Sequence, residues 1–295
     1  MNNRNKVKKN ILLVVNPISG GVDKVELIET VKQYAATVHL EMIQYDTTGE
    51  ADIANIRALY DKYKPERILV AGGDGTIKLV AEAMEHHDVI LGVLPAGSAN
   101  GFAVDLDLPT TLEENLEIAF HNNFMEMDMI VINGKKSLHL SDLGINAELI
   151  KNYEKSEVRG KWGYALQTFT TLNELEEPFT ATITANNRTS TCVARMIVIA
   201  NSQKYGTGVT INPDGVMNDG KFELVILKNL DLFIFGKIIT GNIPVNFEDV
   251  EIISTDKATI ETSFPVSFQI DGEYCGTETK LNIDILHQQM KVAVP

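Results

Sequence analysis

The stretch Ile68-Leu69-Val70-Ala71-Gly72-Gly73-Asp74-Gly75-Thr76-Ile77 leaves few folds open to this chain. Its first four residues suit a buried strand, and they stop at two glycines. Thr76 is predicted to cap a helix that carries Ile77, Val80, Ala81 and Met84 at helical spacing. A strand, a glycine turn and a helix start together accept anions. Gly72, Gly73 and Gly75 lack the β-carbons that would hold a phosphate off the backbone, and the first N–H groups of a helix have no intrahelical acceptor. Asp74 adds a carboxylate to the same turn, out of place beside a phosphate unless a metal ion or ordered water lies between. A tight βα connection in any α/β protein has the same appearance. Two phosphate loops are excluded. No Gly-Lys-Ser/Thr follows, and Lys78 stands where the third glycine of the dinucleotide fingerprint belongs.

A length of 295 residues suggests about two domains, and 44% hydrophobic residues suffice for two cores. The formal charge of −14 argues against nucleic acid as a partner, because neutralising phosphates needs clustered Lys and Arg. Local basic groups, Lys6, Lys8 and Lys9 or Lys151, Lys155, Arg159 and Lys161, read as solvated faces or as contacts for anionic membrane. No apolar run approaches transmembrane length, and Ile11 to Val15 is too short for the core of a signal peptide, so a cytoplasmic protein is expected. Two cysteines, Cys192 and Cys275, make neither a disulfide scaffold nor a zinc cluster.

Taken in order, the chain shows four βα units. Strands are predicted over Ile11–Val15, Val38–Tyr45, Ile68–Ala71 and Val89–Leu94, each followed by helical periodicity. Short loops between them predict a doubly wound parallel sheet, whose ligand lies beyond the carboxyl ends of the strands. All four ends carry small or polar residues: Asn16 and Ser19, Thr47, Gly73 to Thr76, and Gly97 to Asn100. A capped helix spans Thr110–His121, and an Asn133-Gly134 hairpin turn joins strands at Phe124–Ile132 and Leu138–Leu143. A helix is predicted over Lys161–Glu176, with Trp162. The remainder alternates as short strands: Thr180–Thr184, Cys192–Asn201, Phe222–Leu227, Val250–Ile253, Ala258–Glu261 and Val266–Ile270. This predicts an all-β second domain, a sandwich. Leu230–Ile243 breaks the pattern and reads as a buried helix or as an apolar rim for an acyl chain. The expected division is 1–128 and 129–295, with the last ~10 residues returning to the first domain.

These residues resemble the bacterial diacylglycerol kinase and lipid kinase family, related to sphingosine and ceramide kinases. The resemblance rests on Asn16-Pro17-Ile18-Ser19-Gly20, on Gly72-Gly73-Asp74-Gly75-Thr76 and on Leu94-Pro95-Ala96-Gly97-Ser98-Ala99-Asn100. It continues through Asn201, Tyr205-Gly206-Thr207-Gly208, Pro213-Asp214 and Asp219-Gly220-Lys221 to Gln269-Ile270-Asp271-Gly272-Glu273. The signature loop alone is shared with NAD kinases; the order and spacing of all five segments are specific.

The resemblance implies an ATP-dependent lipid kinase with its active site in a cleft between the two domains. Asn16, Pro17, Ser19, Thr47, Gly72, Gly73, Asp74, Gly75, Thr76 and Ser98 would line the ATP site, with Glu273 touching the nucleotide. Asp271 would be the general base for a lipid hydroxyl. Asp219, with the carbonyls of Val216 and Lys221, would hold a structural Mg²⁺, and a second Mg²⁺ would accompany ATP. Diacylglycerol is the acceptor type implied, met at the inner face of a membrane by transient peripheral contact. Exposed strand edges leave a homodimer open. Three positions depart from the family pattern: Lys78 replaces an Asn, Leu79 replaces a Glu, and Gly101 replaces an Asp that follows Asn100. Lys78 is a candidate to meet phosphate directly. The alternatives are an NAD-kinase-like enzyme with a soluble substrate and a non-catalytic nucleotide or lipid sensor.

Overall fold

Apolar runs too short to be helices form the buried strands, and polar turns set their ends. A computed structural model describes residues 10–21, 23–98, 100–121, 123–144, 147, 177–205, 209–229 and 249–295. The helix expected over Lys161–Glu176, the segment Leu230–Ile243, the basic groups at Lys6 to Lys9 and Lys151 to Lys161, and Gly206 to Gly208 lie outside the described residues.

The first elements are β1 (Asn10–Val15), a 3-10 turn at Ser19–Gly21, α1 (Val25–Thr37), β2 (Glu41–Asp46), α2 (Asp52–Tyr63), β3 (Arg67–Gly72), α3 (Asp74–Ala83), β4 (Ile90–Pro95), α4 (Gly101–Asp105) and α5 (Leu112–His121). There follow β5 (Phe124–Ile132), β6 (Lys135–Ser137), β7 (Leu140–Gly144), β8 (Phe179–Ala185), β9 (Arg188–Ala194), β10 (Met196–Ala200), β11 (Lys204–Tyr205), β12 (Val209–Thr210), β13 (Phe222–Leu227), β14 (Val250–Thr255), β15 (Lys257–Ile270) and β16 (Glu273–Ala293). They divide into two compact units, Met1–Met127 with Gln289–Pro295, and Asp128–Gln288.

In the first unit β1 pairs in parallel with β2 and β3, and β3 with β4. The end of β16 completes this sheet, where Lys291 and Val292 pair in parallel with Ile90 and Leu91. The spatial order β2-β1-β3-β4 reverses direction at β1, so the ends of β1 and β3 flank a topological switch point. One core cluster buries Ile11, Leu13, Val15, Leu69, Ala71 and Leu94 against Val31 and Ala35 of α1 and Leu116 and Ala119 of α5. Gly92 permits the close approach of α5, since a Cβ there would lie 2.8 Å from the Ala119 Cβ.

The second unit is antiparallel. One set of strands runs β14-β13-β10-β7-β15; β15 also pairs with β8, which pairs with β9. Its core joins Phe179, Ile183, Ile197, Ile199, Phe222, Leu224, Ile260, Phe268 and Ile283. The two strands expected at Ala258–Glu261 and Val266–Ile270 are one, β15, with its register broken between Glu261 and Val266. That irregularity lets one strand serve both sets, as sandwich corners do. Conversely, the single strand expected over Cys192–Asn201 is two, because the chain turns at Arg195, whose N–H donates to the Leu227 carbonyl. The Asn133-Gly134 turn has positive φ at both residues (48° and 81°) and pairs Ile132 with Lys135, as a two-residue hairpin requires; its second strand is the short β6, whereas the strand expected at Leu138–Leu143 is β7, which pairs with β10 and β15.

Candidate functional site

The carboxyl ends of β1, β3 and β4 are tied together by backbone. The Asn16 N–H donates to the Ala71 carbonyl at 3.0 Å, the Ala96 N–H to the Gly72 carbonyl at 2.9 Å, and Asn16 Nδ2 to Thr76 Oγ1 at 3.2 Å. Gly97 and Gly73 touch backbone to backbone, so that a Cβ on Gly97 would overlap the Gly73 Cα. Gly20 is held as closely: a Cβ there would lie 2.8 Å from the Ala96 carbonyl oxygen. At the end of β2 the Thr47 N–H donates to the Val15 carbonyl at 2.8 Å.

At this edge the carbonyls are engaged from within. The single proton of the Ser19 hydroxyl is shared between the carbonyls of Asn16 (3.1 Å) and Ala96 (3.0 Å), and Lys24 Nζ donates to the Ser19 carbonyl. Asn100 Nδ2 donates to the Gly97 carbonyl at 3.1 Å while Asn100 Oδ1 accepts from the Gly97 N–H at 2.7 Å. The Gly73 carbonyl takes the N–H groups of Thr76 and Ile77. Acceptors that would repel an anion are thus occupied, while the N–H groups of Asp74 and Gly75 have no intrahelical acceptor.

Two expectations change here. The helix starts two residues before Thr76, with Gly73 as its N-cap in an extended conformation. Thr76 is buried inside the first turn and accepts from Asn16, because the glycine carbonyl already begins the helical ladder. Asp74 meets the start of α4, a helix absent from the sequence reading. Its Oδ2 accepts from the Gly101 N–H at 2.9 Å and its Oδ1 from the Phe102 N–H at 3.0 Å.

The β2 loop is organised by Asp52, which the sequence reading passed over. Its carboxylate accepts from the Tyr45 hydroxyl (2.6 Å), the Thr48 N–H (3.0 Å) and the Gly49 N–H (2.8 Å). Burial pushes its pKa up, but the hydrogen bonds from Tyr45, Thr48 and Gly49 outweigh burial and hold it below the ordinary value.

In the second unit, Asp271 and Gly272 form the two-residue turn between β15 and β16, both at positive φ (49° and 86°). The Asp271 carboxylate is fixed by the Ser137 hydroxyl at 2.9 Å and by the N–H groups of Leu138 and His139. Ser137 is in turn held by the buried Ser141. Buried Gln269 accepts from the Gly272 N–H at 2.7 Å and donates to Asp142. Glu273 begins β16 and is exposed.

Val216, Asp219 and Lys221 share one loop of this unit, all three exposed. Asp219 Oδ1 accepts from the Lys221 N–H at 3.0 Å. Their donor set is one carboxylate and two carbonyls, all hard oxygens, which suits Mg²⁺ with water completing the shell. Among the described residues no group of three His, Cys, Asp or Glu side chains converges. The loop is anchored by the buried Asp128 of β5. The Asp128 N–H donates to the Met217 carbonyl, and its carboxylate accepts from the N–H groups of Gly220 (2.6 Å) and Gln288 (2.8 Å) and contacts His287 Nδ1 at 2.6 Å. A lone acid in the apolar run Met127–Ile132 was the available signal for it.

Comparison with known proteins follows the same division. Residues 10–132 match the diacylglycerol kinase catalytic domain, and residues 141–294 match the YegS C-terminal NAD kinase beta sandwich-like domain. The "Probable lipid kinase YegS" of Escherichia coli is 24% identical over 92% of this chain and 90% of its own length. That of Salmonella arizonae is 27% identical over 78% of each. A crystal structure of a diacylglycerol kinase from Bacillus anthracis shares the fold, with a TM-score of 0.75, 18% identity and 97% of each chain covered.

Proposed function

Since the chain belongs to the bacterial lipid kinase family, with an N-terminal α/β nucleotide-binding domain and a C-terminal β-sandwich, we propose that it transfers the γ-phosphate of ATP to the hydroxyl of a lipid such as diacylglycerol. One observation carries this reading. At the carboxyl edge of the first sheet, the carbonyls of Asn16, Ser19, Gly73, Ala96 and Gly97 and the carboxylate of Asp74 are all turned to internal donors. An edge whose acceptors face inward is built for an anion.

In this reading Asn16, Pro17, Ser19, Thr47, Gly72, Gly73, Gly75, Thr76 and Ser98 line the nucleotide site. Glycine backbone lets the phosphates approach, and the N–H groups at the start of α3 face their charge. The lipid oxygen forms the new bond to phosphorus as the bond to ADP breaks. Asp271, held by Ser137, Leu138 and His139, orients the hydroxyl and receives its proton. Phosphoryl transfer asks more of alignment and charge neutralisation than of proton movement, so an oriented carboxylate is sufficient. Glu273 meets the nucleotide. Mg²⁺, bound by Asp219 and the carbonyls of Val216 and Lys221, would supply fixed positive charge; Asp128 shapes that loop from beneath. The acceptor comes from a membrane surface, and among the described residues no helix is long and apolar enough to cross a membrane.

Incubation with γ-labelled ATP and total bacterial lipid tests the assignment. Label is expected in a lipid product. Label on NAD and not on lipid would instead favour the soluble-substrate reading, and ATP binding without any transfer would favour a sensor.

A further inference from the structure

The first loop is built with its polarity inverted. Between Asn16 and Thr30, the one buried side chain among the described residues is a lysine, Lys24, 5% exposed. The apolar side chains beside it face outward: Ile18 is 86% exposed and Val25 68%. Lys24 also occupies the N-cap of α1, where the helix dipole disfavours a cation. Burial, loss of rotamer freedom and the dipole all oppose this placement. Desolvation lowers its pKa, which the neighbouring Asp23 only partly offsets.

What the ammonium does is visible. Nζ donates to the Ser19 carbonyl at 2.5 Å, while the Ser19 hydroxyl shares its proton between the carbonyls of Asn16 and Ala96. We propose that Lys24 is a positioning residue for the nucleotide's phosphates: its buried ammonium draws the Ser19 carbonyl inward, so that the loop from Asn16 to Gly21 presents positive potential, and no open Ser19 carbonyl, to the phosphate chain. This rests on the nucleotide-site reading and deepens it. The charge acts on phosphate and not on the nucleoside, so its effect grows with the number of phosphates.

The test is calorimetric titration of the whole protein with ATP, ADP, AMP and adenosine, for wild type, Lys24→Met and Lys24→Gln, beside thermal denaturation of each. In Lys24→Met the ratio of ATP to adenosine affinity should fall roughly tenfold or more, whatever the accompanying change in Tm. Lys24→Gln keeps a donor for the Ser19 carbonyl without the charge and should fall between; it decides the matter if the Met variant does not fold. Equal losses for ATP and adenosine, or an unchanged ratio in a wild-type protein that binds ATP, overturn the assignment of Lys24. A wild-type protein that binds neither ligand overturns the nucleotide-site reading beneath it.

Discussion

Asp74 and Gly101 are joined across the sheet edge: the N–H of Gly101 donates to Asp74 Oδ2 at 2.9 Å, and Phe102 follows on Oδ1 at 3.0 Å. The signature acid therefore acts as a remote cap for α4, satisfying two N–H groups that a helix start leaves without partners. Asp74→Ala should cost about 2–3 kcal/mol in denaturant unfolding, since two donors lose a charged acceptor. Asp74→Asn should recover part, because an amide offers an acceptor to only one of them. An Asp74→Ala variant as stable as wild type would mean that the cap contributes nothing.

Gly97→Ala tests the contact between loops. The new Cβ would overlap the Gly73 Cα, where backbone and not a flexible side chain must yield. Separating the loops should cost about 1–3 kcal/mol, and ATP affinity should fall with it. Titration with ATP beside thermal unfolding reads both; wild-type affinity would show that the contact does not shape the site.

Asp271→Asn should abolish phosphate transfer to lipid while leaving ATP binding within about twofold. The amide cannot accept all the donors that Ser137, Leu138 and His139 present, so unfolding should also become easier by about 1–3 kcal/mol. Turnover at the wild-type rate would remove Asp271 from the mechanism.

Asp52 makes stability depend on acid. Its folded pKa lies below the ordinary 3.8, so the unfolded chain takes up the proton first as pH falls. The stabilisation is present above pH 3.8 and is lost as pH drops through the folded value. Thermal unfolding of Asp52→Ala should show a deficit of about 2–4 kcal/mol at neutral pH that narrows on acidification. A deficit independent of pH would contradict this assignment.

Much of this architecture is legible in the sequence because it is local. Ile11–Val15 and Val89–Leu94 are apolar runs with polar ends, and the Asn133-Gly134 turn carries its conformation in its own two residues. Asp271 also sits in a recognisable Asp-Gly turn. Its fixing by Ser137 and Leu138 comes from residues over 130 positions away, which no local pattern encodes. Asp74 could not be assigned to Gly101, 27 residues on, without knowing that α4 exists. Lys24 left no trace, since lysine in a polar stretch between strand and helix is unremarkable by composition. The break at Arg195 and the continuity of β15 depend likewise on which strands pair, and pairing is a property of the folded sheet.

The strand pairing of Lys291 and Val292 with β4 has a consequence for biosynthesis. Chains usually fold from the amino end as the ribosome extends them. Here the sheet of β1 to β4 lacks a member until residues 291 and 292 have been translated, so Ile90 and Leu91 wait with an unmatched edge. A fragment cut at Met127 inherits that edge permanently, and grafting residues 289–295 onto it by circular permutation is the way to obtain this unit whole.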